Sequence, residues 1–345
     1  MINSRIFIWS LVGFLFIQVS CGNQESSDST SEGDTVESSE SNDLLSKINK
    51  SGKLVVGFEP DAPPLYIDKT GFDYDLISYL SKEVFDGVEI QPYEDGYDNL
   101  PQTLSEGKID LMAGGRTNEN KSDELYSDSY LSFGYCLVTS GSSAKKFKDL
   151  SSLTNAKIGV YDDFASDWVK TKLPSANISI IGSREDENTA TSEWMNGLLN
   201  AEFDAIIYDY PFAANEIEDY QGKIVITNTN LNGDQLSEYV LVLNKRTEGA
   251  AELMSKINDA IAKYKQLPQY ADAVVKHIPS VGLPAQKQIS SSQGYTIKKG
   301  ETLSIIARDQ LGDVNLWREL YQINKSILAS PDIIYPGQIL TMPAK

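Results

Sequence analysis

A chain of 345 residues has room for two or three domains with sizeable cores, and its formal charge of −19, with no basic face, excludes a nucleic-acid partner. Two cysteines cannot supply a disulfide framework. A single histidine, His277, leaves no histidine metal cluster and no Ser–His pair, although a carboxylate-only metal site stays open.

Taken in order, the chain opens with Arg5 before an apolar core from Ile6 to Ile17, then Gln18-Val19-Ser20-Cys21-Gly22. That core is short for a bilayer span, and the small Ser20 before Cys21 reads as a cleavage site. The pattern resembles a lipoprotein signal over residues 1–21, which implies that Cys21 becomes the lipid-bearing first residue of the mature protein. Gln18 departs from the leucine usual in that motif, and an uncleaved anchor or ordinary secretion are the alternatives. Each of these places the domains outside the cytoplasm. Residues 22–43 carry seven acids and no base among Ser, Gly and Thr. Such a segment buries too little to offset its ordering entropy, so it is expected to be a disordered acidic tether.

The folded part is expected from residue 44. Leu54, Val55 and Val56 form a short apolar strand that runs into the Pro-rich loop FEPDAPPLYI. A glycine turn at Gly71 then opens a helix in which Phe72, Leu76, Leu80 and Val84 recur every four residues along one face. Asp73 and Asp75 fall in its first turn, where carboxylates complement the helix dipole. Further strands are predicted at Val88–Gln91 and Ile109–Met112, with a Pro101-initiated helix over residues 100–107 between them. Strand, loop, helix, strand begins an open α/β sheet, a fold that binds ligands beyond its strand ends.

The run GFDYDLISYL, followed by GKIDLMAGG, Thr117 and YSDSY at residues 126–130, resembles the bacterial extracellular solute-binding proteins of family 3, typified by amino-acid receptors of ABC transporters. The resemblance implies a two-lobed α/β fold with a hinged cleft over residues 44–283. Its first lobe would take residues 53–137 and 240–280, and its second residues 140–234. KIGVY, ISIIG and FDAIIYDYP supply strands of the second lobe. The run from Phe133 to Thr139 and EYVLVLN at residues 238–244 make the two crossovers. Helices at residues 247–264 and 268–277 then close the first lobe, and two crossovers suit ligand-driven closure. Cys136, in the apolar run FGYCLVTS, reads as a buried thiol.

A second polar linker over residues 284–293 leads into YTIKKGETLSIIARDQLGDVNLWRELYQINKSIL and IIYPGQILTMP. Residues 295–297 read as a strand. Thr302 caps a helix carrying Leu303, Ile306 and Ala307, and Leu316, Leu320 and Ile323 line a second helix before a last strand at residues 338–342. This β-α-α-β run, residues 294–345, resembles a LysM module. The resemblance implies binding of N-acetylglucosamine chains, above all peptidoglycan, in a shallow groove between two loops. Here the groove candidates are Gly300, Thr302, Leu303, Ile334, Tyr335, Pro336 and Gly337, beside Glu301 and Ile333. Backbone groups near glycine can bond an acetamide while apolar side chains cover its methyl and the ring face. Leu303, Ile334 and Pro336 serve equally well as core.

In the solute cleft the resemblance is selective. The family's carboxylate-clamping arginine falls three residues after the motif threonine, and after Thr117 that position is Asn120. Its helper hydroxyls are replaced by Gly115 and Ala113. Arg116 lies near enough in sequence to substitute, though its spacing points it elsewhere. The second-lobe Gly-Thr loop also departs, reading Asp163-Phe164 within VYDDFAS, where Asp162 and Asp163 are candidate lining groups. The acidic half remains. Asp209 matches the aspartate that binds a ligand ammonium, unless it only caps the helix before Pro211. Glu59 matches an acidic first-loop position, and Tyr97 an aromatic cover. A cleft of carboxylates without the clamp favours an amine, a cationic peptide end or a cell-wall fragment over a free α-amino acid.

The expected function is therefore a lipid-anchored, non-catalytic binding protein of the cell envelope, with no cofactor, held to peptidoglycan by LysM. One alternative is a receptor that delivers an amine or amino-acid-like solute to an ABC permease. Another is an accessory or degenerate relative of the lytic transglycosylases, some of which carry LysM. A lysozyme-like segment is not seen here, and a cleft dehydratase, known among a few family-3 relatives, has no residue to support it.

Overall fold

The computed structural model describes residues 43–161, 163–181, 191–283 and 294–343. Cys21, the 22–43 tether up to residue 42, Asp162 and the 284–293 linker lie outside them. No helix of the described residues is long and apolar enough to cross a membrane.

Helix α1 (Leu44–Ser51) is capped by Asp43, whose side chain accepts from the Ser46 N–H, and it leads into β1 (Lys53–Phe58). Helix α2 (Phe72–Val84) begins after Gly71, at φ +117°. A Cβ there would stand 2.1 Å from the Leu65 carbonyl oxygen, so only glycine fits this close approach. Phe72, Leu76 and Leu80 are fully buried, as their spacing predicts, whereas Val84 is only half-buried at the helix end. Strands β2 (Glu89–Glu94) and β3 (Leu111–Met112) flank β1 in parallel, with α3 (Leu100–Ser105) between them in sequence. Strand β4 (Glu124–Tyr126) is the far edge of this sheet.

The chain leaves the first lobe through β5 (Leu131–Phe133) and enters the second through β6 (Tyr135–Ser140). The predicted single run over this region is thus broken at Gly134. A Cβ at that position would fall 2.6 Å from the Asn230 side chain. In the second lobe follow β7 (Lys157–Val160), α4 (Asp163–Lys172), β8 (Asn177–Ile180), α5 (Thr191–Leu199), β9 (Ala205–Asp209), α6 (Tyr210–Glu216) and β10 (Ile224–Asn228). They form a sheet of order β10-β6-β9-β7-β8. The return uses β11 (Ser237–Tyr239), which pairs antiparallel with β5, and β12 (Val242–Asn244), which enters the first sheet between β3 and β4. Helices α7 (Ala250–Tyr264) and α8 (Pro268–His277) pack on α2. Two lobes joined by a two-stranded hinge are the fold that the sequence implies. Cys136 is a buried free thiol in β6.

The C-terminal module holds β13 (Gly294–Thr296), α9 (Leu303–Ile306), α10 (Trp317–Asn324) and β14 (Ile339–Thr341). The Thr302 hydroxyl caps α9 by accepting from the Ile305 N–H at 3.2 Å. The second helix departs from its predicted seam. Leu320, Tyr321 and Asn324 are buried, while Ile323 is 44% exposed. Asn324 is drawn inward because its amide bonds the carbonyls of Leu320 and Thr341, and its oxygen accepts from the Thr341 N–H. A polar side chain thereby satisfies the β14 backbone, and the helix turns to bring it there.

Candidate functional site: the interlobe cleft and the LysM groove

A cavity of about 660 Å³ opens between the lobes and is bordered by both crossovers. Six carboxylates border it, Glu59, Asp61, Asp128, Asp209, Glu216 and Glu238, and among the described residues no Lys, Arg or His does. Six aromatic rings also border it, those of Tyr97, Phe133, Tyr135, Tyr161, Tyr208 and Phe212. Tyr208 links them, 5.2 Å from Tyr161 and 5.7 Å from Phe212 between ring centroids. Burial, followed by the nearby charge of Asp219, pushes the Glu216 carboxyl above its usual range. Ring faces and carboxylates together favour a cation and disfavour an anion.

The floor of the cleft is held by Asp73. This residue is fully buried, and its Oδ2 accepts from the Gly114 N–H at 2.8 Å and the Gly115 N–H at 3.3 Å. The acid read from sequence as a dipole partner is thus a tie between α2 and the Gly114–Gly115 turn. Burial pushes its carboxyl up to about 6, against the opposing pull of Tyr130 and the two glycine N–H groups. Asp75 also reaches out of its helix, to His277 Nε2 at 2.7 Å and Lys276 Nζ at 3.1 Å on α8.

Arg116 does not take the place of the missing clamp. It is 2% exposed and does not border the cavity. Its Nη1 donates to the Tyr97 carbonyl at 2.9 Å, its Cζ sits 3.7 Å above the Tyr97 ring, and Nη2 lies 3.7 Å from Glu119. The cation is used to hold the Tyr97 loop. Asp209 ends β9 and precedes Tyr210-Pro211, the position of a helix cap, yet its side chain makes no capping bond. Its Oδ2 instead accepts from the Tyr239 hydroxyl of β11 at 2.8 Å.

The second site is the groove of the C-terminal module. Thr302, Leu303 and Ile334 border a cavity of about 390 Å³ together with Glu301, Ser304 and Trp317. Leu303 and Ile334 are also core residues of the module.

Comparison with known proteins follows this division. The sequence model for bacterial extracellular solute-binding proteins, family 3, matches residues 54–280. The chain belongs to this family. Residues 295–343 match the LysM domain. The L-cystine-binding protein TcyJ of Escherichia coli K12 is 23% identical over 242 residues, covering 68% of this chain and 85% of that protein. The potassium binding protein Kbp of Escherichia coli is 48% identical over 54 residues, only 16% of this chain and 36% of that protein. A solved ancestral cationic amino acid solute-binding protein is 27% identical with a TM-score of 0.52, covering 64% of this chain and 93% of that one.

Within the family-3 domain, the structure brings Glu59, Tyr97, Thr117 and Asp209 to one cavity and leaves Arg116 behind its wall. Asp163 opens α4, whereas Asp162 lies outside the described residues. Among the LysM candidates, Gly300, Tyr335, Pro336 and Gly337 do not border the groove cavity. Tyr335 turns the other way, its hydroxyl donating to the carbonyls of Ile278 at 3.2 Å and Pro279 at 3.3 Å in the solute-binding domain. Sequence reasoning missed Asp61, Asp128, Glu216, Glu238 and Trp317. Asp128 sits in YSDSY and Trp317 in NLWRELY, but one-dimensional spacing does not say which flank of a motif faces a cavity. Among the described residues no group of three or more His, Cys, Asp or Glu could hold a metal ion.

Proposed function

We propose that this protein is an extracytoplasmic, non-catalytic binding protein of the cell envelope that takes a small cationic solute in its interlobe cleft. Lipid on Cys21 ties it to the membrane, and the LysM module ties it to the N-acetylated glycan of peptidoglycan. The observation that carries the solute assignment is the cleft wall itself, with six carboxylates and, among the described residues, no basic side chain. An ammonium or guanidinium that bonds one of these carboxylates away from water gains a charge-assisted hydrogen bond, and the rings supply cation–π faces. A free carboxylate on the ligand would meet like charge from these six groups. The single histidine, His277 at the end of α8, is bonded to Asp75 of α2 and does not border the cleft, so it offers no general base there.

Calorimetry with putrescine, arginine amide and glutamate tests the assignment. Binding of the two cations and rejection of glutamate are expected. Tight binding of glutamate overturns the reading. A second reading, delivery of the same solute to an ABC permease, is favoured by family membership and by the two-stranded hinge formed by β5 and β11. Co-purification with a permease separates it from the first.

A further inference from the structure

The groove of the LysM module is not open on all sides. The cavity that Thr302, Leu303, Ser304, Trp317 and Ile334 border has an opposite wall made by the first lobe, including Asp128, Ile261, Ala262, Gln266 and Ala271. The corner between α7 and α8 spans both groove loops. At the first loop, a Cβ on Gly300 would stand 3.2 Å from the Pro268 side chain. At the second, Asp332 Oδ2 accepts from Lys265 Nζ at 2.9 Å and from the Ser132 N–H at 2.8 Å. Lys325 adds a pair with Asp234 at 2.9 Å, and Ala329, Ile333 and Tyr335 join the main core of the solute-binding domain. The module is therefore seated with its groove facing the lobe.

We propose that the LysM module and the first lobe form one composite pocket that holds the end of an N-acetylated glycan strand. This rests on the glycan reading above and narrows it. Leu303, Ile334 and Trp317 offer apolar cover for a sugar ring and an acetamide methyl. Ser304 and Asn315 from the module, and Asp128 and Gln266 from the lobe, surround that cover with hydrogen-bonding groups. The Gln266 side-chain amide, just past the end of α7, donates to the Ala262 carbonyl at 3.1 Å. The volume of about 390 Å³ is that of a small-ligand site. A strand laid across both loops would run into the Lys265–Pro268 corner, whereas a terminus enters and stops there. The pocket thus selects strand ends, and the lobe contributes to the affinity.

The test is calorimetry of the full chain with β-1,4-linked N-acetylglucosamine oligomers, using two blocking variants on opposite walls. Ser304→Trp fills the pocket from the module without removing the Thr302 cap, and Ala262→Trp fills it from an exposed position on α7. Each is expected to weaken the trimer at least about tenfold, and Gln266→Ala, which adds no bulk, by several-fold, as for a lost hydrogen bond. One protein should bind per chain for the trimer and for longer oligomers alike. Unchanged affinity in Ala262→Trp and Gln266→Ala, with loss in Ser304→Trp, overturns the composite pocket and leaves the module reading glycan alone. More than one protein per long oligomer overturns end selection. Failure of the wild-type chain to bind any oligomer removes the glycan reading itself.

Discussion

The Tyr239 hydroxyl donates to Asp209 Oδ2 at 2.8 Å, joining the returning crossover to the end of the second-lobe strand β9. One carboxylate thus borders the cleft and touches the hinge. Replacing Asp209 by Asn keeps an oxygen for Tyr239 and removes the charge. A cationic ligand should then bind about ten- to a hundredfold more weakly, the range expected for a charge-assisted bond of roughly 1.5–3 kcal/mol. Calorimetry reads the affinity and thermal melting the fold. An unchanged affinity for the tightest cation would show that another carboxylate carries the recognition.

Asp73 gives the protein a pH dependence whose sign is fixed by burial. Its folded pKa, about 6, lies above the ordinary 3.8, so the native state holds the proton more tightly than the unfolded chain does. Stability from this group is full below pH 3.8 and falls as pH rises to about 6, by on the order of 3 kcal/mol. Asp73→Asn should remove that slope. Urea unfolding of wild type and variant at several pH values between 4 and 6 measures it. Parallel stability curves would assign the slope to other groups.

Gly71 admits no side chain. Alanine there drives a Cβ onto the Leu65 carbonyl and demands φ near +117°. Gly71→Ala should destabilise the first lobe by on the order of 2–4 kcal/mol. An unaltered denaturation midpoint would mean that the 65–71 loop relaxes freely.

Tyr335, a groove candidate by sequence, tests whether the groove reaches beyond its cavity. Its hydroxyl reaches the Ile278 and Pro279 carbonyls, not the groove. Tyr335→Phe should lower stability by about 1 kcal/mol through the lost bond to the Ile278 carbonyl, since Pro279 still accepts from the Val281 N–H, yet leave retention on insoluble peptidoglycan unchanged. Loss of retention in a folded variant would restore Tyr335 to the glycan site.

Cys21 is expected to carry the lipid. Intact mass of the membrane-extracted protein should show an acylated chain that begins at residue 21, and Cys21→Ser should abolish the added mass. A mature chain that begins elsewhere without acyl mass sinks this assignment.

The sequence by itself determined the two-lobed α/β fold, the LysM module and their order through the family motifs it carries, and the elements within them rest on local rules. Phe72, Leu76 and Leu80 recur at helical spacing, Gly71 marks a turn that nothing else can make, and Thr302 caps its helix. Helix α10 shows where periodicity fails. Ile323 was the apolar choice, but the β14 backbone needed Asn324, and an unsatisfied buried peptide group outweighs one exposed isoleucine. Only the tertiary structure decided that Arg116 spends its charge on Tyr97, that Asp73 ties down the Gly114–Gly115 turn, and that Asp61, Asp128, Glu216 and Glu238 join Asp209 around one cavity. It alone set the LysM groove against the first lobe through Asp332 and Lys265, residues 67 apart in sequence. Side-chain direction and long-range pairing depend on how distant elements pack, and the spacing of residues along one strand or helix carries no record of what will stand opposite it.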